Sequence, residues 1–331
     1  MATIQDVSRL ARVSTATVSA VLNGTAYVSP KLTARVREAV RELDYTINAV
    51  ARGLQLGSTR TIGMLVPNLA EPVYSRIATG VEERLRQDGY SLVIGSTHND
   101  PAEQSRFLSL LSSKQLDGVL LVLAVGSEEE VQKLLRAGHR VVLIARRPRD
   151  FEADEVSVDH IVATEKAIGH LLSKGHARIG LLLGPRDMEI SRDRIEGWRR
   201  ALVGAGLTPD EDLIVEGDYT AASGERAMEE YLALQAPPTA VFATGFLMLT
   251  GCLAVTRRKS LIVPTDFELM TWSDSPLLDV FDPPVSSIEQ PSYEMGTKAA
   301  NLILERLGGD SSPPRRIILP TDLKIREGLA K

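Results

Sequence analysis

With 331 residues, 44% hydrophobic and 24% charged, the chain is too long for one ordinary core and has a globular rather than a disordered composition. No apolar run nears the roughly 20 residues of a membrane span, and the amino-terminal stretch lacks the apolar core of a signal peptide, so neither insertion nor secretion is expected. The single cysteine, Cys252, rules out an internal disulfide and fits a reducing cytoplasm.

The net charge of -5 conceals an asymmetry. Residues 1–60 hold eight Lys/Arg against four acids, a net +4, while the remainder holds 30 against 39, a net -9. A basic head on an acidic body is the pattern expected when only the head meets phosphate. In the head, Ile4, Val7, Leu10 and Ala11 recur at helical spacing, as do Val18, Val21 and Leu22. Ser14 is placed to cap the second helix, and a third is expected from about Pro30 to Leu43, opened by Ser29 and a proline at the first helical position. Val7, Val18 and Val21 suit the packing of a helix pair. The short Thr15, Ala16, Ser19 and Ala20 fall on the opposite face, where small side chains let a helix lie deep in a major groove. Ser14, Thr17 and Asn23 suit hydrogen bonds to phosphates. A small helical cap domain with a polar surface is the competing explanation of these residues.

Tyr45–Gln55 follows and looks helical, but it is short and contains Gly53. An isolated helix of that length is marginal in water, and a mid-helix glycine costs about 1 kcal/mol. It should fold only with outside support, such as a symmetric partner and a DNA minor groove, where Leu54 would be an apolar wedge between bases. A plain interdomain linker is the alternative.

After Arg60 the pattern changes. Strands are expected at Ile62–Val66, Leu92–Ile94, Val119–Leu123 and Val141–Ile144, alternating with helices at Tyr74–Gly89, Ala102–Lys114 and Glu128–Ala137. The alternation repeats with helix Thr164–Lys174, strand Ile179–Leu183, helix Arg192–Gly206 and a short strand near Leu213–Val215. Helix Ser223–Leu234, strand Ala240–Thr244, helix Phe246–Arg257 and strand Phe267–Thr271 come next. Strand Ser286–Ile288, helix Tyr293–Leu307 and strand Arg316–Leu319 close the series. Two such runs imply two lobes with parallel sheets covered on both faces, and a ligand cleft at the carboxyl ends of their strands.

Enzyme signatures are missing. There is no phosphate-binding Gly-x-x-x-x-Gly-Lys-Ser/Thr loop, no Gly-x-Gly-x-x-Gly after the first strand and no Gly-x-Ser-x-Gly elbow. The five histidines lack zinc-like spacing, so no metal or cofactor is expected; His160 and His170 read as surface helix residues, and His98 as a modest cleft candidate.

The head string, the Asn48-Ala49-Val50-Ala51-Arg52-Gly53-Leu54 segment and Thr61-Ile62-Gly63 together resemble the lactose-repressor (LacI/GalR) family of bacterial transcriptional regulators. So do Asp117-Gly118-Val119, Gly175-His176-Ala177-Arg178-Ile179, Arg194-Ile195-Glu196-Gly197-Trp198, Pro237-Pro238-Thr239-Ala240-Val241-Phe242-Ala243 and Gln290-Pro291-Ser292-Tyr293-Glu294-Met295-Gly296, in order along the whole chain. The resemblance implies a small all-α helix-turn-helix head (1–46), a hinge helix and linker (47–58), and a two-lobe, periplasmic-binding-protein-like α/β body (59–331). The first lobe would take about 59–159 plus part of 290–320, and the second about 160–289 plus the C-terminal strands. It also implies a non-enzymatic, cytoplasmic, nucleoid-associated repressor, which binds a near-palindromic double-stranded DNA operator as a homodimer. DNA contacts would come from Thr3, Ser14, Thr15, Ala16, Thr17, Ser19, Ala20, Asn23, Asn48, Ala51, Leu54 and Gln55. A small-molecule effector would meet Val73, Tyr74, His98, Arg146, Ile190, Arg194, Tyr219, Gly245, Phe246, Ser273 and Gln290.

The chain departs from the family pattern at several places. Ala20 stands where arginine or another base-reading residue is usual, Arg12 where a turn glycine is common, and Ile47 where proline is frequent. At Arg12 either a left-handed residue costing about 1 kcal/mol or a different turn is expected. In the cleft, Ala145, Gly245-Phe246 and Ser273 replace polar groups that would pair with sugar hydroxyls. Arg194 is kept, with Arg146 and Arg192 expected near it, and Tyr74, Tyr219, Phe246 and Trp272 offer aromatic walls. The effector is therefore expected to be a sugar or a sugar-derived acid or phosphate. A two-lobe solute-binding protein, or a DNA-binding dimer indifferent to effector, is the alternative.

Overall fold

The computed structural model describes residues 2–24, 26–45, 58–113, 115–146, 148, 151–273 and 275–326, with Asn23 described in its backbone alone. They form two compact units, divided between Thr59 and Arg60.

Among the described residues the head has three helices: α1 (Ile4–Ala11), α2 (Thr15–Asn23) and α3 (Pro30–Glu42). Thr3 and Asp6 open α1 with reciprocal caps. The Thr3 hydroxyl accepts the Asp6 amide at 3.3 Å, and the Thr3 amide donates to the Asp6 carboxylate at 2.9 Å. That carboxylate is held below its usual range, first by the bond from the Thr3 hydroxyl. Ser14 caps α2 by accepting the Thr17 amide at 3.1 Å. Ser29 sits at the N-cap of α3, but its side chain makes no cap bond. Arg12 closes α1 in the left-handed region (φ 49°, ψ 50°), so the first of the two turns open to the sequence is the one adopted. Arg35 of α3 steadies it, donating to the carbonyls of Ala11 and Arg12. Val7, Ala11, Val18, Val36 and Ala39 are buried at the centre, with Ile4, Val21 and Leu22 packed around them.

The body has two six-stranded sheets. The first is ordered β11-β5-β4-β3-β1-β2 and comprises β1 (Thr61–Val66), β2 (Ser91–Ser96), β3 (Gly118–Leu121), β4 (Arg140–Ile144), β5 (Asp154–Val158) and β11 (Arg316–Leu319). The second, ordered β12-β10-β9-β8-β6-β7, comprises β6 (Ile179–Leu183), β7 (Ile214–Glu216), β8 (Ala240–Ala243), β9 (Glu268–Trp272), β10 (Ser286–Glu289) and β12 (Asp322–Lys324). Among the described residues every pairing is parallel except β10 with β12. The connecting helices are α4 (Pro72–Gln87), α5 (Pro101–Ser112), α6 (Glu128–Arg136), α7 (His160–Ser173), α8 (Glu189–Gly204), α9 (Ala221–Ala233), α10 (Phe246–Arg258) and α11 (Ser292–Leu307). The chain crosses between the lobes three times: after β5, after β10 and between β11 and β12.

Glycine makes the seam of the first lobe. A Cβ on Gly80 of α4 would lie 2.2 Å from the Tyr293 carbonyl oxygen, and one on Gly296 of α11 would lie 2.1 Å from that of Ile77. The two helices therefore touch backbone to backbone, which only a residue without a side chain permits. Strand β5 has no counterpart in the sequence reading, because Asp154 and Glu155 disguise it. Both acids are buried in ion pairs from distant segments: Asp154 with Arg306 at 2.7 Å and Glu155 with Arg316 at 3.0 Å. Helix α7 begins at His160, earlier than the expected Thr164, because Asp159 caps it through the Val162 amide at 3.0 Å. No helix among the described residues is long and apolar enough to cross a membrane.

Candidate functional site

On α2, Ser14, Thr15 and Ala16 are exposed and Thr17, Ser19 and Ala20 half-buried, while Val18 is fully buried beneath them. The helix thus presents a shallow surface of short side chains. The Ser14 and Thr17 hydroxyls already bond each other at 2.9 Å, and that of Thr3 donates to Asp6 at 2.7 Å. The expected contacts Asn48, Ala51, Leu54 and Gln55, together with Ile47 and the Asn23 side chain, lie outside the described residues.

The body holds a cavity of about 160 Å³ at the carboxyl ends of the strands of both sheets. From the first lobe come Pro67, Asn68, Glu71, Val73 and Tyr74 after β1, His98 and Asn99 after β2, and Ala145 and Arg146 after β4, while His160 opens α7, where the chain has crossed to the second sheet. The second lobe adds Ile190 and Arg194 of α8, Asp218, Tyr219 and Thr220 after β7, Thr244 and Gly245 after β8, Trp272 and Ser273 at the end of β9, and Gln290 after β10. Parallel sheets place loops and helix starts at this end, which explains why residues distant in sequence converge.

The backbone here is strained. Among the described residues eight non-glycines have positive φ, and four of them, His98 (51°), Asn99 (59°), Ala145 (63°) and Tyr219 (63°), line this cavity. Conformations of this kind cost about 1–3 kcal/mol each and gather at binding sites.

Arg194 is the central charge and is only 4% exposed. Its guanidinium lies over the Trp272 ring, 4.4 Å from the centroid, and reaches the Tyr219 hydroxyl at 3.3 Å and the Thr244 carbonyl at 3.5 Å. Its Nε has no hydrogen-bond partner, and among the described residues no carboxylate pairs with it. Burial, more than any neighbour, pulls its pKa down. Arg146 donates to the Asn99 side-chain oxygen at 2.6 Å and lies over the Tyr219 ring, 5.5 Å from its centroid.

Glu71 reaches across the cleft. Its carboxylate accepts the Leu247 amide at 3.1 Å, so a residue of the first lobe caps α10 of the second, where Gly245 offers no side-chain cap. Burial pushes its pKa up to about 7, against the pull of the Leu247 and Phe246 amides and of Arg194. Burial raises the Tyr74 hydroxyl likewise. His160 stacks against Trp272 with ring centroids 4.9 Å apart, and burial holds its pKa well below the usual range, so the imidazole is neutral. Trp272 in turn donates to the Gln290 side-chain oxygen at 2.8 Å.

Of the expected effector residues, Val73, Tyr74, His98, Arg146, Ile190, Arg194, Tyr219, Gly245, Ser273 and Gln290 line this cavity. Phe246 does not, because its ring turns into the second-lobe core and stacks on Phe281 at 6.2 Å. Arg192 faces an adjoining pocket with Asp187 and Ile190. His160, expected on a helix surface, is instead 6% exposed, since α7 starts at the cleft floor. Glu71, Asn68, Asn99, Asp218, Thr220 and Thr244 were not anticipated. All follow strand ends, and that position was the available signal. No three His, Cys, Asp or Glu among the described residues are grouped to hold a metal.

Residues 3–48 match the model of the lacI family of bacterial regulatory proteins, and residues 168–328 match a periplasmic binding protein-like domain. The HTH-type transcriptional repressor PurR of Vibrio cholerae is 34% identical over 319 residues, covering 96% of this chain and 94% of its own. The HTH-type transcriptional repressor CytR of Escherichia coli is 33% identical over 328 residues, covering 98% and 95%. Among solved structures, the transcriptional regulator CelR in complex with cellobiose has 33% identity and a TM-score of 0.75, covering 99% of this chain and all of its own. The lac repressor dimer bound to operator and an anti-inducer has 24% identity and a TM-score of 0.85, covering 99% and 98%, a likeness of fold.

Proposed function

The chain belongs to the lacI family of bacterial regulatory proteins and is a DNA-binding transcriptional repressor rather than an enzyme; we propose that it grips a near-palindromic operator as a homodimer in the cytoplasm, under the control of a small molecule in the interlobe cleft. The observation that carries the reading is the cavity itself. It is closed by both lobes, strained at four backbone positions and lined by buried polar groups that a ligand would satisfy. That the related CelR was solved with cellobiose supports a sugar-like ligand.

Each recognition helix, α2, would enter one major-groove half-site, and residues 47–58 would form the conditional hinge. An effector shifts DNA affinity only by its different affinities for two lobe arrangements. Glu71 and Arg146 reach from the first lobe to α10 and Tyr219 of the second, so a ligand among them favours one arrangement. Fluorescence anisotropy with operator DNA tests the proposal. Full-length protein should bind with a dependence on dimer concentration, deletion of residues 1–58 should abolish binding, and a cleft ligand should change the apparent Kd. Unchanged binding after the deletion refutes it.

A further inference from the structure

Two guanidiniums reach the cleft from opposite sides, Arg146 from the loop after β4 and Arg194 from α8, and they flank one aromatic ring. Arg146 lies over the face of Tyr219, and Arg194 bonds its hydroxyl. They are close enough for Arg146 to disfavour the charge on Arg194. Both are more than nine-tenths buried, yet Arg146 is met by the neutral Asn99 and Arg194 by long bonds to a hydroxyl and a carbonyl. Buried cations ordinarily have anionic partners, because desolvation is otherwise uncompensated.

The acids nearby do not fill that role. Asp218 spends its carboxylate on its own loop, accepting the Thr220 amide at 3.0 Å and the Thr220 hydroxyl at 2.6 Å. Glu71 points to the start of α10, and burial leaves its carboxyl only partly ionised at neutral pH. Neither guanidinium therefore has a carboxylate as its hydrogen-bond partner among the described residues of the cavity. Tyr74, Tyr219 and Trp272 supply flat walls, and Asn68, Thr244 and Gln290 neutral hydrogen-bonding groups.

We propose that the ligand of this cleft is a small polar molecule carrying an oxyanion, a carboxylate or a phosphate, held between Arg146 of the first lobe and Arg194 of the second. The planar forks of both arginines match an oxyanion's oxygens. The inference rests on the cleft being the effector site.

The test is calorimetric titration of the full-length protein with matched sets: glucose, glucuronate and glucose 6-phosphate; galactose, galacturonate and galactose 6-phosphate; ribose, ribonate and ribose 5-phosphate. At least one anion should bind tenfold or more tightly than its neutral parent, and the arm that binds assigns carboxylate or phosphate. Arg146→Gln should weaken that anion roughly ten- to a hundredfold while leaving the neutral parent nearly unchanged. Arg146→Lys, which keeps the charge without the fork, should recover part of the loss and guards against misfolding of the first variant. Binding by no anion, equal binding of neutral parents, or equal weakening of both by Arg146→Gln overturns the inference. Operator binding measured in parallel separates the two claims. Neutral sugars that alter it leave the regulatory reading standing without the anion, and an anion that binds without altering it does the reverse.

Discussion

Replacing Glu71 by glutamine should stabilise the protein at alkaline pH and do little in mild acid. Glu71 is 6% exposed, and burial raises its pKa from the ordinary 4.5 to about 7. At 1.36 kcal/mol per pKa unit, that displacement is worth about 3 kcal/mol. The sign follows from proton binding. The folded protein holds this proton more tightly than the unfolded chain does. The associated stability is fully present below pH 4.5 and is lost as pH rises through about 7. Above pH 8 the parent carries a buried, poorly compensated carboxylate. Glutamine keeps an oxygen for the Leu247 amide without the charge, so Glu71→Gln should gain up to about 3 kcal/mol at pH 8 and less than about 1 kcal/mol at pH 5. For a body of this size, a gain of about 3 kcal/mol raises the Tm by roughly 6 °C. His160 titrates in the opposite sense, since its depressed pKa removes stability as pH falls below 6.5, but it does so in parent and variant alike and cancels in the difference. Urea denaturation of both proteins at pH 5 and pH 8 is the assay. A variant less stable than the parent at pH 8 would mean that Arg194 and the α10 amides outweigh desolvation, which refutes the reasoning.

Three further outcomes follow from particular residues. Ala20→Arg on the half-buried face of α2 should create a guanine preference of about 1–3 kcal/mol at the facing base, which the parent lacks, as read by operator selection. Gly296→Ala sets a methyl 2.1 Å from the Ile77 carbonyl oxygen and should cost about 3 kcal/mol or more, seen as a large drop in thermal stability. The chain has two tryptophans, Trp198 buried in the second lobe and Trp272 in the cleft. Ligand-induced fluorescence change should therefore persist in Trp198→Phe and vanish in Trp272→Phe.

Much of the architecture is readable from local pattern. Short apolar runs alternating with amphipathic stretches mark parallel sheets, and Ile179–Leu183 and Arg316–Leu319 form strands over the expected residues. Hidden elements were those whose polarity is cancelled from a distance. Strand β5 reads as acidic until Arg306 and Arg316 arrive from the far end of the chain. The cleft shows the same division. Arg194 stands out by motif and Tyr219 as an aromatic wall, whereas Glu71 and His160 become site residues through burial that only the closed lobes produce. Phe246 erred the other way: an aromatic at a strand end is cleft-facing or core-facing according to its rotamer, which composition does not encode.

The account's central claim is that occupancy of the interlobe cleft governs the grip of the head on DNA. Its most direct test is the apparent Kd of the full-length protein for its operator, measured with and without a saturating cleft ligand, in the parent and in Arg194→Ala. The account predicts a change of at least tenfold in the parent that disappears in the variant while operator binding itself remains. An operator Kd unaffected by a ligand shown to occupy the cleft would contradict it.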